Sequence, residues 1–406
     1  MRIRSFLLGA LCTLGLGAMM VSCGDNDNEW DDGDSKVDCG DNDNEWDDGD
    51  SKVELPDSEW DDGDSKVELP DSRVYILNEG SIDSNNAGIA FYDPQNGDFI
   101  DDIFYRQNES RLGDTGQSMI RYNGSIYVSV YGSNYIAKLN AACVQEKRTL
   151  FSSDPDLRGG VRYIAAEDGY IYASFYGGIV AKIDAATLEV KAKLNGLGAN
   201  LEGVVICDDN LYVANSYEIV FNPATNKNDY VYKKEVKVID LKTFSLKETL
   251  TVAQNPNKLV EEDDNVFLIS WDYFDESYVL QFIEPKNNNK VSKLGYATDM
   301  AAGDDVIYLV DSRTDWSTRI STNTFSYYDI KAGKLVGSSF LKDAPAELIN
   351  KSISMMSVNP ENGDIYIGTT LFADGNGTMY RFRKDGTFVE KFDCGGQNPK
   401  AAVFFN

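Results

Sequence analysis

One short pattern recurs seven times in this chain and leaves it few folds to choose from. It is a turn rich in Asp, Asn or Gly, then an aromatic residue flanked by apolar ones. The copies read VYILNEG around Tyr75, IYVSVYG around Tyr127, IYASFYG around Tyr172 and LYVANSY around Tyr212. VFLISW around Phe267, IYLVDS around Tyr308 and IYIGTT around Tyr366 complete the set, at spacings of 52, 45, 40, 55, 41 and 58 residues. Apolar residues alternate with period two within each copy, so each is a strand. An alternating strand precedes many copies, as in RYIAA (162–166), GVVIC (203–207) and MMSV (355–358). A third follows, often ending in Asp or Asn: IAKLNAA (136–142), VAKIDAATLEV (180–190), VKVIDLKTFSL (236–246), FSYYDIKAGKL (325–335). Units of about 40–50 residues with four strands each are the signature of a β-propeller. The expectation is an all-β, seven-bladed β-propeller over residues 73–406. The ends fit a closed ring. No inner strand precedes Val74, whereas a spare strand, NPKAAVFFN, ends the chain and matches NPNKLVEED at 255–263. The C-terminal strand is expected to join the first blade, which removes an exposed sheet edge.

The first 72 residues are of another kind. Arg2 and Arg4 precede an apolar run too short to span a membrane, the layout of a secretory signal over residues 1–22. Met20-Val21-Ser22-Cys23 resembles a bacterial lipobox, with Met in place of the usual Leu at its first position. The resemblance implies acylation of Cys23. Residues 23–72 then form an acidic tether. Gly24 to Ser72 holds 21 Asp/Glu and three Lys, and EWDDGDSKV occurs there three times, from Glu29, Glu45 and Glu59. So little apolar surface cannot offset the entropy of ordering, so this segment is expected to be disordered. About 49 such residues reach on the order of 40 Å. CGDNDNEWDD after the acylated position also resembles the export signal of Bacteroidota surface lipoproteins, which implies exposure at the outer face of the outer membrane and a lipid anchor as the sole membrane contact.

The formal charge of the chain is −28. The part beyond the tether is still acidic, which argues against a nucleic-acid partner. The chain has no histidine. Ser-His-Asp and Cys-His catalysis and His-ligated metals are therefore excluded. No CxxC motif is present, so a zinc site lacks its usual spacing. Cys143, Cys207 and Cys394 are too far apart to make a disulfide framework, though one pair or three buried thiols both remain open. No metal or cofactor is expected, and the chain reads as a binding protein rather than an enzyme. The enzyme alternative is a calcium-assisted carboxylate site at Asp114, Asp299 or Asp311.

The blades IVAKIDAATLEV and VKVIDLKTFSL resemble YncE-like, YVTN-type seven-bladed propellers. YILNEGSIDSNNAGIAFYDPQNG, LGDTGQSMI and GGQNPKAAVFF are closer to Bacteroidota surface lipoprotein propellers, among them the BtuG-type cobalamin-binding proteins. The resemblance covers residues 73–406. It implies capture of cobalamin (vitamin B12) or another corrinoid and delivery to a TonB-dependent outer-membrane transporter. A surface propeller that binds a glycan or a protein partner, without corrinoid affinity, is the alternative.

The loops between second and third strands carry the residues that could hold such a ligand. Tyr131 and Tyr135, Phe175 and Tyr176, Tyr217, WDYFDESY (271–278), Trp316 and Phe372 sit among Gly, Asn and Asp turn residues, which place rings near a surface. Some of these rings will pack between blades instead. A corrinoid is a broad disc fringed by amides, so it needs aromatic surface below and polar groups around. The expected platform is Tyr131, Tyr176, Trp271, Tyr273, Phe274 and Trp316, with Arg162, Asn200, Asn257 and Arg319 as donors on the rim. Two longer excursions, NSYEIVFNPATNKNDYVYKKEV and SRTDWSTRISTNTF, are placed to meet a ligand or the transporter.

Overall fold

A computed structural model describes residues 60–406. Twenty-eight strands form seven antiparallel four-stranded sheets, the seven blades. The inner strands are Gly116–Tyr122, Val161–Glu167, Asn200–Cys207, Pro256–Glu262, Asp299–Gly303 and Ser352–Val358 for blades 2 to 7. In blade 1 the inner strand is Pro399–Phe405, paired antiparallel with Arg73–Asn78, so the last strand of the chain closes the ring as expected. Among the described residues one α-helix interrupts the strands, Ile103–Asn108, capped by the Asp102 carboxylate accepting the Tyr105 N–H. No described helix is long and apolar enough to cross a membrane.

In four of the seven copies the recurring aromatic turns out to be a hydrogen-bonded stitch between blades. All seven lie on second strands and are buried. The Tyr75 hydroxyl donates to the Ala141 carbonyl at 2.7 Å, Tyr127 to Ala185 at 2.8 Å and Tyr308 to Lys384 at 3.3 Å. Tyr212 donates to the Asn289 side chain at 2.6 Å. In each case the acceptor sits in the turn between third and outer strands of the next blade. That turn is shaped by the Asp or Asn that ends the third strand. Asn140 accepts two main-chain N–H groups, while Asp184, Asp240 and Asp329 accept those of Thr187, Thr243 and Ala332. The repeat therefore encodes blade-to-blade contact, not only strand alternation. Tyr127→Phe is expected to lower stability by about 1 kcal/mol, since the Ala185 carbonyl loses a buried donor while the packing stays. Urea denaturation of the two proteins would show it, and an unchanged midpoint would remove the stitch.

The three body cysteines are free and buried, which leaves no disulfide among them. Burial pushes all three thiols up, Cys207 to about 12 and Cys394 to about 11.

One boundary needs correction. Residues 60–72, expected from their composition to belong to the disordered tether, pack on blades 1 and 2. Leu69 is buried in the core between those blades, and Trp60 and Val67 pack against it. Composition hid this because the segment is held largely by polar contacts to the body. The rest of the tether, Cys23 and the signal segment lie outside the described residues.

Candidate functional site

The inner strands share a local irregularity that builds the mouth of the channel. In six of the seven blades the register between the inner and second strands slips by one residue near the start of the inner strand. A β-bulge of this kind carries one unpaired residue and turns its side chain out of the alternation. The residue is Lys400 in blade 1, Gln117 in blade 2, Asn257 in blade 5 and Ser354 in blade 7. In blade 3 the slip spans Arg162 and Tyr163, and in blade 4 Glu202 and Gly203. Serines on second strands hold two of these bulges: Ser129 donates to the Arg162 carbonyl at 2.6 Å and Ser174 to that of Glu202 at 2.7 Å.

Contacts between these side chains run from blade to blade. Arg162 donates from Nη1 to Gln117 at 2.6 Å, and from Nε and Nη2 to Glu202 at 2.9 and 2.8 Å. Its guanidinium packs against two adjoining rings, 4.7 Å from the centroids of both Tyr131 and Tyr176. Burial disfavours that charge, but Glu202 and the surrounding phenols outweigh it, so the Arg162 pKa lies well above the ordinary arginine value. The Tyr176 hydroxyl donates to the other Glu202 oxygen, and burial pushes its pKa well up, so it stays protonated. Further round, Lys400 faces Glu79 at 3.5 Å and Lys258 pairs with Asp299. Three buried polar atoms here have no partner among the described residues: Gln117 Nε2, Asn257 Oδ1 and Asp299 Oδ2. An unmet donor and two unmet acceptors at a channel mouth are costly unless something else satisfies them.

An aromatic belt lies over this ring. Tyr131 meets Tyr176 at 5.5 Å, Tyr176 meets Tyr217 at 6.1 Å and Tyr217 meets Tyr230 at 5.9 Å. Tyr232 continues it to Phe274 at 4.8 Å. In blade 5 Trp271 meets Tyr273 at 6.4 Å, Tyr273 meets Tyr278 at 6.1 Å, and Arg313 of blade 6 covers Tyr278 at 4.4 Å. Gly160 makes room for the first ring: its φ is +105°, and a Cβ there would stand 2.5 Å from the Tyr131 ring. The belt is partly open to solvent, with Tyr273 45% and Phe274 62% exposed. Tyr217, Tyr230 and Tyr232 come from the longer excursion in blade 4, whose strands, Asn210–Asn222 and Lys227–Asp240, make a hairpin about twice the usual length.

The expected platform is thus only partly assembled. Tyr131 and Tyr176 come together, as do Trp271, Tyr273 and Phe274 with blade 4. Trp271 is half-buried and its indole N–H donates to the Thr298 carbonyl at 3.2 Å. Trp316 stands apart, paired with Phe372 at 5.4 Å in blades 6 and 7. Tyr135 and Phe175 are buried packing residues. Of the expected rim donors, Asn257 is buried in the ring and Asn200 sits at the start of its strand. Arg162 is not on a rim, because the bulge turns it inward and all three of its nitrogens are engaged. Arg319 is exposed and bridges to Asp374 of blade 7. Gln117, Glu202, Lys400, Tyr230, Tyr232 and Tyr278 join the site without standing in the expected platform or rim, although Tyr278 lies in WDYFDESY and Tyr230 and Tyr232 lie in the blade 4 excursion. The polar ones lie in the loops that enter the inner strands, GDTGQ, GANLEG and GQNPK. Asp299 and Asp311 are paired with Lys258 and Arg313, and Asp114 accepts from Thr115 and from the Asp83 N–H. No group of three or more carboxylates or cysteines among the described residues is arranged to hold a metal ion.

Residues 73–233 match the family model described as Domain of unknown function (DUF5074), which spans blades 1 to 3 and much of blade 4. No curated protein matches the chain. Among solved structures, the chain is similar to a quinonprotein alcohol dehydrogenase-like protein from Bacteroides thetaiotaomicron VPI-5482, with a TM-score of 0.60 at 16% identity over 83% of this chain and 78% of that one. It is also similar to hydrazine synthase from Kuenenia stuttgartiensis, with a TM-score of 0.51 at 12% identity over 66% of this chain and 76% of that one. At such identities the likeness concerns the fold, and the fold it supports is the seven-bladed β-propeller.

Proposed function

We propose that this propeller is a capture protein for a broad, amphipathic, amide-bearing small molecule, with cobalamin or another corrinoid as the candidate ligand. The observation that carries the reading is the pairing of an open aromatic belt with a polar ring whose Gln117 Nε2, Asn257 Oδ1 and Asp299 Oδ2 are buried without partners among the described residues. Rings supply area against a flat macrocycle. A carboxamide has both a carbonyl to accept from Gln117 and an N–H to donate to Asn257 or Asp299. The reading is of binding without catalysis, since the ring's strongest charges, Arg162 and Glu202, are spent on each other. Strand direction supports the cellular side of the proposal. The belt and ring lie where inner strands begin, while the N-terminal segment meets the propeller where they end, at Phe405. An anchor acylated at Cys23 would keep the propeller at the outer membrane, within reach of a TonB-dependent transporter.

Calorimetric titration of the full chain with cyanocobalamin tests this. Saturable one-to-one heat is expected, and Trp271→Ala with Tyr273→Ala should weaken it at least fivefold, about 1 kcal/mol or more. Absence of binding by the unaltered chain would overturn the corrinoid assignment.

A further inference from the structure

The docked N-terminal segment makes a set of specific contacts at the end of the propeller opposite the aromatic belt. The Trp60 indole stands edge-on to the Phe405 ring at 5.1 Å, and the Arg121 guanidinium lies 4.6 Å from the centroids of both rings. Asp62 takes two hydrogen bonds from the buried Arg73, at 2.5 and 2.9 Å. Gly63, at φ +46°, passes so close to Asn140 that a Cβ would stand 2.9 Å from its amide nitrogen. Gln107 of the helix accepts from the Lys66 N–H and donates to Ser65 Oγ, both at 2.8 Å, and Lys66 Nζ pairs with Glu109 at 2.8 Å. Each of these contacting residues belongs to EWDDGDSKV, and the buried Leu69 follows the motif by two residues.

That motif stands twice more in the same chain. Residues 45–58 repeat residues 59–72 without a change, so Trp46, Asp48, Gly49, Ser51 and Lys52 carry the same side chains at the same spacings, and Leu55 matches the buried Leu69. The copy at 29–37 repeats the motif but has Cys39 where Leu69 stands. We propose that this groove is a docking site for the repeat itself, and that the copy beginning at Glu45 exchanges into it in place of the one beginning at Glu59. Each exchange shortens the stretch before the docked copy by 14 residues and adds them as a loop before Arg73. These two copies present the same side chains, so loop closure decides between them. Docking of the second copy lengthens the stretch between motif and Arg73 from 5 residues to 19. With closure entropy growing as three-halves of the logarithm of loop length, that favours the observed copy by roughly sevenfold. The tether is therefore adjustable in length, with the short loop as its resting state.

Hydrogen exchange measured by mass spectrometry on the full chain tests the exchange. In Trp60→Ala/Asp62→Ala, amides of 60–69 should lose protection and those of 46–55 should slow at least tenfold. The reference is a chain with the same two changes in all three copies. The substitutions also give the two copies different peptide masses. Residues 46–55 exchanging at the reference rate would overturn the proposal. So would retained protection of 60–69, since the groove would then not be reading the motif. Amides of Ser125–Val130 report whether the ring is intact. If they are not protected, Trp60→Ala alone, which keeps the Asp62–Arg73 pair, gives the same two-way reading.

Discussion

Replacing Glu202 with alanine should destabilise the propeller by about 3–5 kcal/mol, the cost of leaving a buried charge without its partner. Arg162 and Glu202 are among the most buried charged residues of the described chain. The guanidinium is held where it stands, because Tyr131 and Tyr176 both pack against it and Gln117 accepts from one end. Without Glu202 the Tyr176 hydroxyl also loses its acceptor. Arginine does not shed its proton at any ordinary pH, so the charge stays and the fold bears it. Urea denaturation of the variant and of the double variant Glu202→Ala/Arg162→Met separates the terms. The double variant should recover much of the loss, because it removes the stranded charge along with its partner. A single variant within 1 kcal/mol of the original would mean that the pair is solvated, and the ring would lose its claim to be a rigid base for ligand.

The two halves of the molecule were unequally legible. The φYφ copies carry their own period and their own turns, and in four of them a hydroxyl that reaches the next blade, so local sequence and ring geometry say the same thing. The closing strand was readable for the same reason: NPKAAVFFN resembles the other inner strands. The polar ring was half readable: the loops that enter the inner strands showed their polar residues, but a bulge is one extra residue in a pairing register and leaves no mark on hydrophobic alternation, so the side-chain directions stayed hidden. Arg162 shows the consequence. From its loop it reads as a donor on the rim, yet the slip between Val161 and Ile164 turns it under the tyrosines. The docked tether failed for a different reason. Composition averages over a segment, and one Trp, one Gly and a bidentate Asp do not move the average, although each meets a partner from a distant part of the chain. Tyr131 and Tyr176 were found because turn glycines beside aromatic residues are a local signal. Their common neighbour Glu202 lies on another blade and gave none.

Removing residues 399–406 should abolish cooperative folding altogether. Pro399–Phe405 supplies the only inner strand of blade 1 and pairs with Arg73–Asn78 along its length. Val403, Phe404 and Phe405 are buried, with Phe404 packed on Tyr366 of blade 7 at 5.1 Å and Phe405 on Tyr75 at 5.9 Å. Losing two buried phenylalanines alone costs about 6–10 kcal/mol on the scale of core truncations, comparable to the whole stability of a typical domain at about 5–15 kcal/mol. The lost strand would also leave the hydrogen-bonding edge of Arg73–Asn78 open, next to apolar surface, which favours association. The truncated chain should therefore elute as aggregate and show no sharp thermal transition. Phe405→Ala is the milder form of the same test. It should cost about 3–5 kcal/mol and, because Phe405 also seats Trp60, loosen the docked segment with the ring. A truncated chain that melts at the original temperature would show that blades 2 to 7 stand without closure, and the C-terminal strand would then be an accessory to the ring rather than its clasp.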